Sequence, residues 1–115
     1  MLFARCDLIS HICLDNCAGV KDEAVEALAR NCPELKSVRL AWCVGVGDRG
    51  MMALASCRAT RKLEWLDITA CRRISDAGVM AITEHCQRLR KLSVSAVRRV
   101  TDTAAHVCLA ALRRD

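Results

Sequence analysis

The sequence is poor in the residues that build loops and aromatic cores. Its 115 residues include one proline, five glycines, one phenylalanine, two tryptophans and no tyrosine. So little proline and glycine, with 53% hydrophobic residues, excludes a disordered or low-complexity chain. No apolar run is long enough to span a bilayer, so membrane association is not expected. The length predicts one globular domain, residues 1–115.

A secretory signal is also missing. Arg5 and Asp7 stand where the apolar core of a signal peptide would have to lie. We therefore predict an intracellular protein, cytoplasmic or nuclear, in which thiols stay reduced. The nine cysteines are not expected to form a disulfide scaffold, and an odd number could not pair completely.

The chain repeats itself about every 26 residues. Four segments share an apolar pattern close to L-x-x-L-x-L, and they begin at Ile9, Leu35, Leu63 and Leu89. Three of them continue with a cysteine, and the fourth with a valine: Cys17, Cys43, Cys71 and Val97. All four then reach an aspartate: Asp22, Asp48, Asp76 and Asp102. This regularity predicts a stack of four units, at about residues 6–31, 32–59, 60–85 and 86–115.

Each unit is predicted to combine one strand with one helix. The alternating apolar residues favour a short strand with one buried face, and helical spacing follows each aspartate. We expect each aspartate to cap the first turn of the helix that it begins, because a carboxylate accepts the free backbone amides there. One such unit cannot bury its apolar face alone, so stacking is required.

The segment CPELKSVRLAWCVGVGDRGMMALA resembles the cysteine-containing leucine-rich repeats of F-box proteins and of related antagonists of the mitotic exit network. The resemblance implies an α/β solenoid, a horseshoe with short parallel strands on its concave face and helices on its convex face. In that family the F-box docks on a ubiquitin-ligase adaptor while the repeats hold the substrate. The sequence departs from the pattern at Val97, at Cys108 and in two extra residues around 58–61, and no F-box is expected in it.

Two local motifs suggest ligands that the repeat disfavours. His11, Cys13 and Cys17 lie close to Cys6, but they lack the C-x2-C spacing of a zinc knuckle. The cysteines are better explained as small buried side chains at a turn.

Residues 45–50 read G-x-G-x-x-G, a dinucleotide motif, but the other copies of this turn lack those glycines. We therefore predict no metal and no cofactor.

No catalytic group is predicted either. The three histidines, His11, His85 and His106, occupy different repeat positions, and none has a recognisable nucleophile beside it. The sequence therefore favours a binding protein over an enzyme.

The predicted binding residues point away from the core along the strands. They are His11, Arg39, Trp65, Asp67 and Lys91, with Trp42 in the loop after the second strand. Trp65 is the expected centre, because tryptophan is a frequent hot-spot residue and is unfavourable to expose. The alternative is that Trp65 lies flat on its neighbours or is covered by another segment.

Charge is distributed unevenly along the chain. Residues 1–57 hold six basic and seven acidic residues, whereas residues 58–115 hold twelve and six. A basic patch is predicted where two arginine pairs share one repeat position: Arg72, Arg73, Arg98 and Arg99. Such a patch would suit an acidic segment of a partner protein. Nucleic acid is a less favoured ligand, because no aromatic residues alternate with the basic ones. The alternative is that these arginines bind no partner and are simply exposed to solvent at the edge of the loops.

Two functions remain open. The first is a protein-interaction module that holds a target for ubiquitin-dependent degradation, with ligase subunits as further partners in a longer F-box chain. The second is a stand-alone repeat scaffold or inhibitor with no role in ubiquitin transfer.

Overall fold

The computed structural model describes residues 9–57 and 61–94. Strands and helices alternate in this part of the chain, in the order β1 (His11–Cys13), α1 (Asp22–Asn31), β2 (Ser37–Arg39), α2 (Asp48–Ser56), β3 (Trp65–Asp67), α3 (Asp76–His85) and β4 (Lys91–Ser93). Every helix begins at a repeat aspartate, as the spacing predicted. Val97, Arg98, Arg99, Asp102 and the rest of the fourth unit after β4 lie outside the described residues.

The four strands form one parallel sheet in sequence order. Ile12 pairs with Val38, Val38 with Leu66, and Leu66 with Leu92, so equivalent repeat residues lie side by side. A parallel connection needs a crossover, and each helix supplies one. Stacked strand–helix units of this kind are the predicted solenoid.

The core lies between the sheet and the helices. The inward strand residues of the two central units are fully buried: Val38, Leu40, Leu66 and Ile68. One helix position is fully buried in all three helices: Leu28, Leu54 and Ile82. The same packing therefore recurs in the two central units, as the apolar columns predicted, while the inward residues of β1 and β4 are only partly buried. None of the described helices is both long and apolar enough to cross a membrane.

The capping prediction was wrong for Asp22 and Asp48. Within the described residues, neither of these two carboxylates bonds to the first turn of its own helix. Instead Asp22 accepts hydrogen bonds from the backbone amides of Gly47 (2.8 Å) and Gly50 (2.9 Å), at the start of the next helix. Asp48 accepts the amide of Ser75 in the same way (2.7 Å). The aspartate thus caps the following unit, which joins neighbouring repeats through their helix N-termini.

The column cysteines also join neighbouring units. The Cys43 thiol donates to the carbonyl of Leu14 (3.0 Å), and the Cys71 thiol donates to that of Leu40 (2.9 Å). Burial raises the pKa of Cys71 to about 12. Cys13, Cys17, Cys43, Cys71 and Cys86 are free thiols. This geometry agrees with a packing role at the turn.

Candidate functional site

Two rows of outward-facing residues cross the sheet. One row runs along the first residue of each strand: His11, Ser37, Trp65 and Lys91. The other runs along the third residue: Cys13, Arg39, Asp67 and Ser93. The structure therefore brings five of the predicted binding residues onto one face, with Trp65 near its centre.

Trp65 lies between two cations. The Arg39 guanidinium carbon is 5.6 Å from the centre of the indole ring, and the Lys91 ammonium nitrogen is 4.6 Å from it. Both distances allow attraction between a cation and the ring electrons. The indole is half-buried, so the predicted exposed hot spot is in fact a ring partly covered by its neighbours. This agrees in part with the alternative that Trp65 packs against adjacent side chains.

Two buried donors at this position have no acceptor within the described part of the chain. They are the Trp65 indole Nε1 and the Arg39 Nε. Leaving a buried donor unsatisfied costs about 1–3 kcal/mol, so native proteins rarely keep one. Both donors belong to side chains at the centre of the outward face, where Arg39 packs against the Trp65 ring.

Arg39 is held in place by Asp15, which was not among the predicted binding residues. The Asp15 carboxylate contacts the Arg39 guanidinium at 2.9 Å and accepts the backbone amide of Ala41 at 2.9 Å. The signal that could have revealed it was its position two residues after the outward Cys13. Asp15 therefore fixes both the end of β2 and the side chain beside Trp65.

The remaining predicted residues of the face differ in whether their side chains are free to contact a partner. Asp67 accepts hydrogen bonds from the amide and hydroxyl of Thr69, so it is engaged in its own turn. His11 is exposed on the edge strand β1, next to the hydroxyl of Ser10 at 2.8 Å. Ser37 and Ala41, at outward positions of the second repeat, are buried. Small side chains in an outward row are covered by the larger residues next to them.

The loop edge beyond the strands carries the other predicted residues. Trp42 is 49% exposed, Val44 is 46% exposed, and Arg72 and Arg73 are exposed in the next loop. Trp42 also has a backbone φ of 64°, which is unusual for a bulky residue. Arg98 and Arg99 lie outside the described residues, so the four-arginine patch stays a prediction beyond its first pair.

The two ligand motifs are placed as follows. Within the described ranges no three His, Cys, Asp or Glu side chains come together as metal ligands, and Cys6 is outside them. In the G-x-G-x-x-G segment, the amides of Gly47 and Gly50 already bind the Asp22 carboxylate. A dinucleotide phosphate would need these amides, so the capping contact occupies the place that it would take.

Comparison with known proteins agrees with the repeat geometry. The family described as Leucine Rich repeat matches residues 31–55 and 61–82. The C-terminal domain of tropomodulin from Caenorhabditis elegans shares the fold, with a TM-score of 0.50 and 18% identity over 93% of this chain and 84% of that one. The chain is a leucine-rich repeat domain.

The curated relatives of this leucine-rich repeat domain are F-box proteins. F-box protein MAX2 homolog A of Petunia hybrida is 30% identical over 87% of this chain, and F-box/LRR-repeat protein 4 of Bos taurus is 26% identical over 77% of it. The chain spans only 14% of the length of each of these relatives. Its repeats are therefore similar to those of F-box/LRR-repeat proteins at low identity, and they support a protein-interaction module.

Proposed function

We propose that this leucine-rich repeat domain holds a protein target on its concave face, in the manner of a ubiquitin-ligase substrate receptor. The observation that carries the proposal is the half-buried Trp65 ring between the cations Arg39 and Lys91 on the outward face of the sheet. Tryptophan and arginine are the residues most often found at interface hot spots.

The chemistry of the face describes the target in general terms. A partner can bring a carboxylate or carbonyl oxygen to the Arg39 guanidinium, because this side chain is 43% exposed. An apolar group laid on Trp65 would remove the remaining exposed indole surface from water. The target is thus expected to present an acceptor next to an apolar side chain.

The link with ubiquitin rests on the relatives. They are named F-box proteins, and the repeats of this chain align with a short part of each. In the longer gene product, the domain would then select the protein to be degraded while another segment docks on the ligase. This is a binding role without catalysis, in a complex that includes ligase subunits.

The test of the binding face is Trp65→Ala in the full-length gene product. Loss of a hot-spot tryptophan costs about 2 kcal/mol or more, so capture of the target should weaken by about 30-fold or more. The matched control is Met52→Ala, because Met52 is an exposed apolar residue on helix α2, away from the strands. Equal capture by the Trp65→Ala variant and the unmodified protein would reject the concave face as the binding site.

The ubiquitin role has its own test. Affinity purification of the full-length product should recover a Skp-type adaptor and a cullin, and Trp65→Ala should lengthen the half-life of the captured target. If neither subunit is recovered and target turnover is unchanged, the stand-alone scaffold or inhibitor is the correct function. That result would leave binding at the concave face intact.

A further inference from the structure

The loops that follow β1, β2 and β3 share one backbone shape. Each has a non-glycine residue at positive φ directly before the column cysteine: Asn16 (63°), Trp42 (64°) and Ala70 (60°). Asparagine enters this left-handed region more readily than most residues, whereas a bulky aromatic residue there is a real outlier. The turn itself therefore gives no reason for tryptophan in the second loop.

Packing gives no such reason either. Trp42 is 49% exposed, and its neighbour Val44 is 46% exposed. They are two of the three large hydrophobic residues that are exposed in the described part of the chain. An unfavourable backbone conformation and an exposed ring at one residue are typical of a contact site rather than of a structural position.

Cations lie on both sides of this apolar pair. On one side the Lys21 side chain runs past Gly45, since a Cβ built on that glycine would lie 2.9 Å from Lys21 Cγ. On the other side Arg73 pairs with Gly47 through the backbone, and a Cβ on Gly47 would lie 3.3 Å from that of Arg73. The Trp42 amide also donates to the carbonyl of Thr69 at 2.8 Å, so the two loops are adjacent.

The cations of this surface are not neutralised by nearby acids. Lys21, Arg72 and Arg73 form no ion pair with any residue in the described ranges. Two of the repeat carboxylates are already engaged within the protein, Asp22 by backbone amides and Asp48 by Ser75. The surface is therefore apolar at its centre and positively charged at its edges.

We propose that this rim patch, formed by Lys21, Trp42, Val44, Arg72 and Arg73, docks an acidic linear peptide. The peptide places an apolar side chain on Trp42 and Val44, and its carboxylates face the three cations. This site is separate from the concave face around Trp65 and does not depend on the ubiquitin role. A peptide fits better than nucleic acid, because bases stack on aromatic rings and Val44 provides an aliphatic surface instead.

The first experiment is selection of a phage-displayed random peptide library on the full 115-residue chain. Recovered peptides should be enriched in aspartate and glutamate around an aliphatic or aromatic residue. Failure to recover binders, or binders without acidic enrichment, would overturn the proposal.

The decisive variant is Trp42→Asn, which places at this turn the residue that the first repeat has at Asn16. It should weaken binding of the selected peptides at least tenfold, while the melting temperature stays equal or rises. Asn keeps the left-handed turn favourable, so a fall in melting temperature with unchanged peptide binding would make Trp42 a structural residue. The control is Met52→Asn, which removes an exposed apolar side chain from helix α2.

Charge is tested by the double variant Arg72→Glu and Arg73→Glu. It should weaken peptide binding more at low salt than at high salt, since paired charges at the surface are screened. The matched control is Arg88→Glu with Arg90→Glu, an equal charge change at exposed residues that precede β4. Equal losses from both pairs would overturn the site, because net charge alone would then explain binding.

Two further results separate this site from its alternatives. Trp65→Ala should leave peptide binding unchanged, and dependence on Trp65 instead of Trp42 would place the peptide on the concave face. A single-stranded DNA 30-mer is the competing probe. If it binds the unmodified chain tightly, displaces the selected peptides and loses affinity with Arg72→Glu and Arg73→Glu, the patch is a nucleic-acid site and the peptide proposal fails.

Discussion

Inward and outward positions of the repeat follow different rules. The buried helix position holds Leu28, Leu54 and Ile82, three residues of the same kind. The first outward strand position holds residues of four different kinds: His11, Ser37, Trp65 and Lys91. Repetition thus maintains the stack, whereas the positions that do not repeat distinguish this surface from that of any other stack. Binding chemistry is to be sought where the repeat is broken.

The sharpest contrast lies between two consecutive residues of β3. Leu66 faces inward and is fully buried, so Leu66→Ala should destabilise the fold by about 2–5 kcal/mol. Trp65 faces outward, and its contacts with Arg39 and Lys91 are each expected to contribute only about 0.5–1 kcal/mol. Urea unfolding of both variants measures the difference. A larger loss of stability for Trp65→Ala would show that the ring is a core residue and not part of a binding face.

The next effect concerns the carboxylate that joins two repeats. Asp48→Asn removes the charge that caps α3 through Ser75, so we expect a loss of about 1–3 kcal/mol in the free energy of unfolding.

Gly78→Ala should also destabilise the fold, because the added Cβ would meet the Asp48 carboxylate and the Met51 side chain.

The glycine control is Gly19→Ala. No heavy atom lies within 4 Å of a Cβ at that position, and Gly19 is not at positive φ, so alanine should be neutral or stabilising by up to about 1 kcal/mol. Thermal unfolding distinguishes the two glycines. A stabilising Gly78→Ala would mean that the aspartate can withdraw without loss, and that the cap between units contributes little.

The sequence predicted the repeated elements well because their signals are local. Apolar alternation marks each strand, and the aspartate marks the first residue of each helix. The direction of the cap could not be predicted in the same way. An aspartate at a helix start looks the same whether it bonds to its own helix or to the next one, and only the spacing between stacked units decides. The glycines at 50 and 78, which leave room for that carboxylate, were the available clue.

The outward face around Trp65 was predicted in outline but not in its contacts, and its role in binding stays a prediction. Strand alternation placed Trp65, Arg39 and Lys91 on one side, and the parallel register brings them together. Their mutual packing depends on side-chain length and rotation, which alternation does not describe. The left-handed backbone at Trp42 was missed for a similar reason, since tryptophan is not a residue that signals positive φ.

A smaller effect is confined to alkaline pH. Burial raises the pKa of Cys71 from 9.0 to about 12, so the folded state keeps a proton that the unfolded chain releases. This contribution to stability is complete below pH 9 and is lost as the pH rises from 9 towards 12. Urea midpoints measured at pH 8 and pH 10.5 should therefore fall less for Cys71→Ala than for the unmodified chain. Equal slopes would show that this thiol is accessible to water.

The smallest effect is expected for a second carboxylate that also links neighbouring repeats. Glu34 pairs with Lys62, but both side chains are nearly half exposed, at 45% and 47%. Exposed ion pairs contribute up to about 1 kcal/mol and weaken with salt, so Glu34→Gln should change stability little, and less still at 1 M NaCl. Asp48→Asn should keep its full effect at that salt concentration, because its hydrogen bonds are partly buried. If the two substitutions behaved alike, position relative to the core would not determine which contacts between repeats hold the solenoid together.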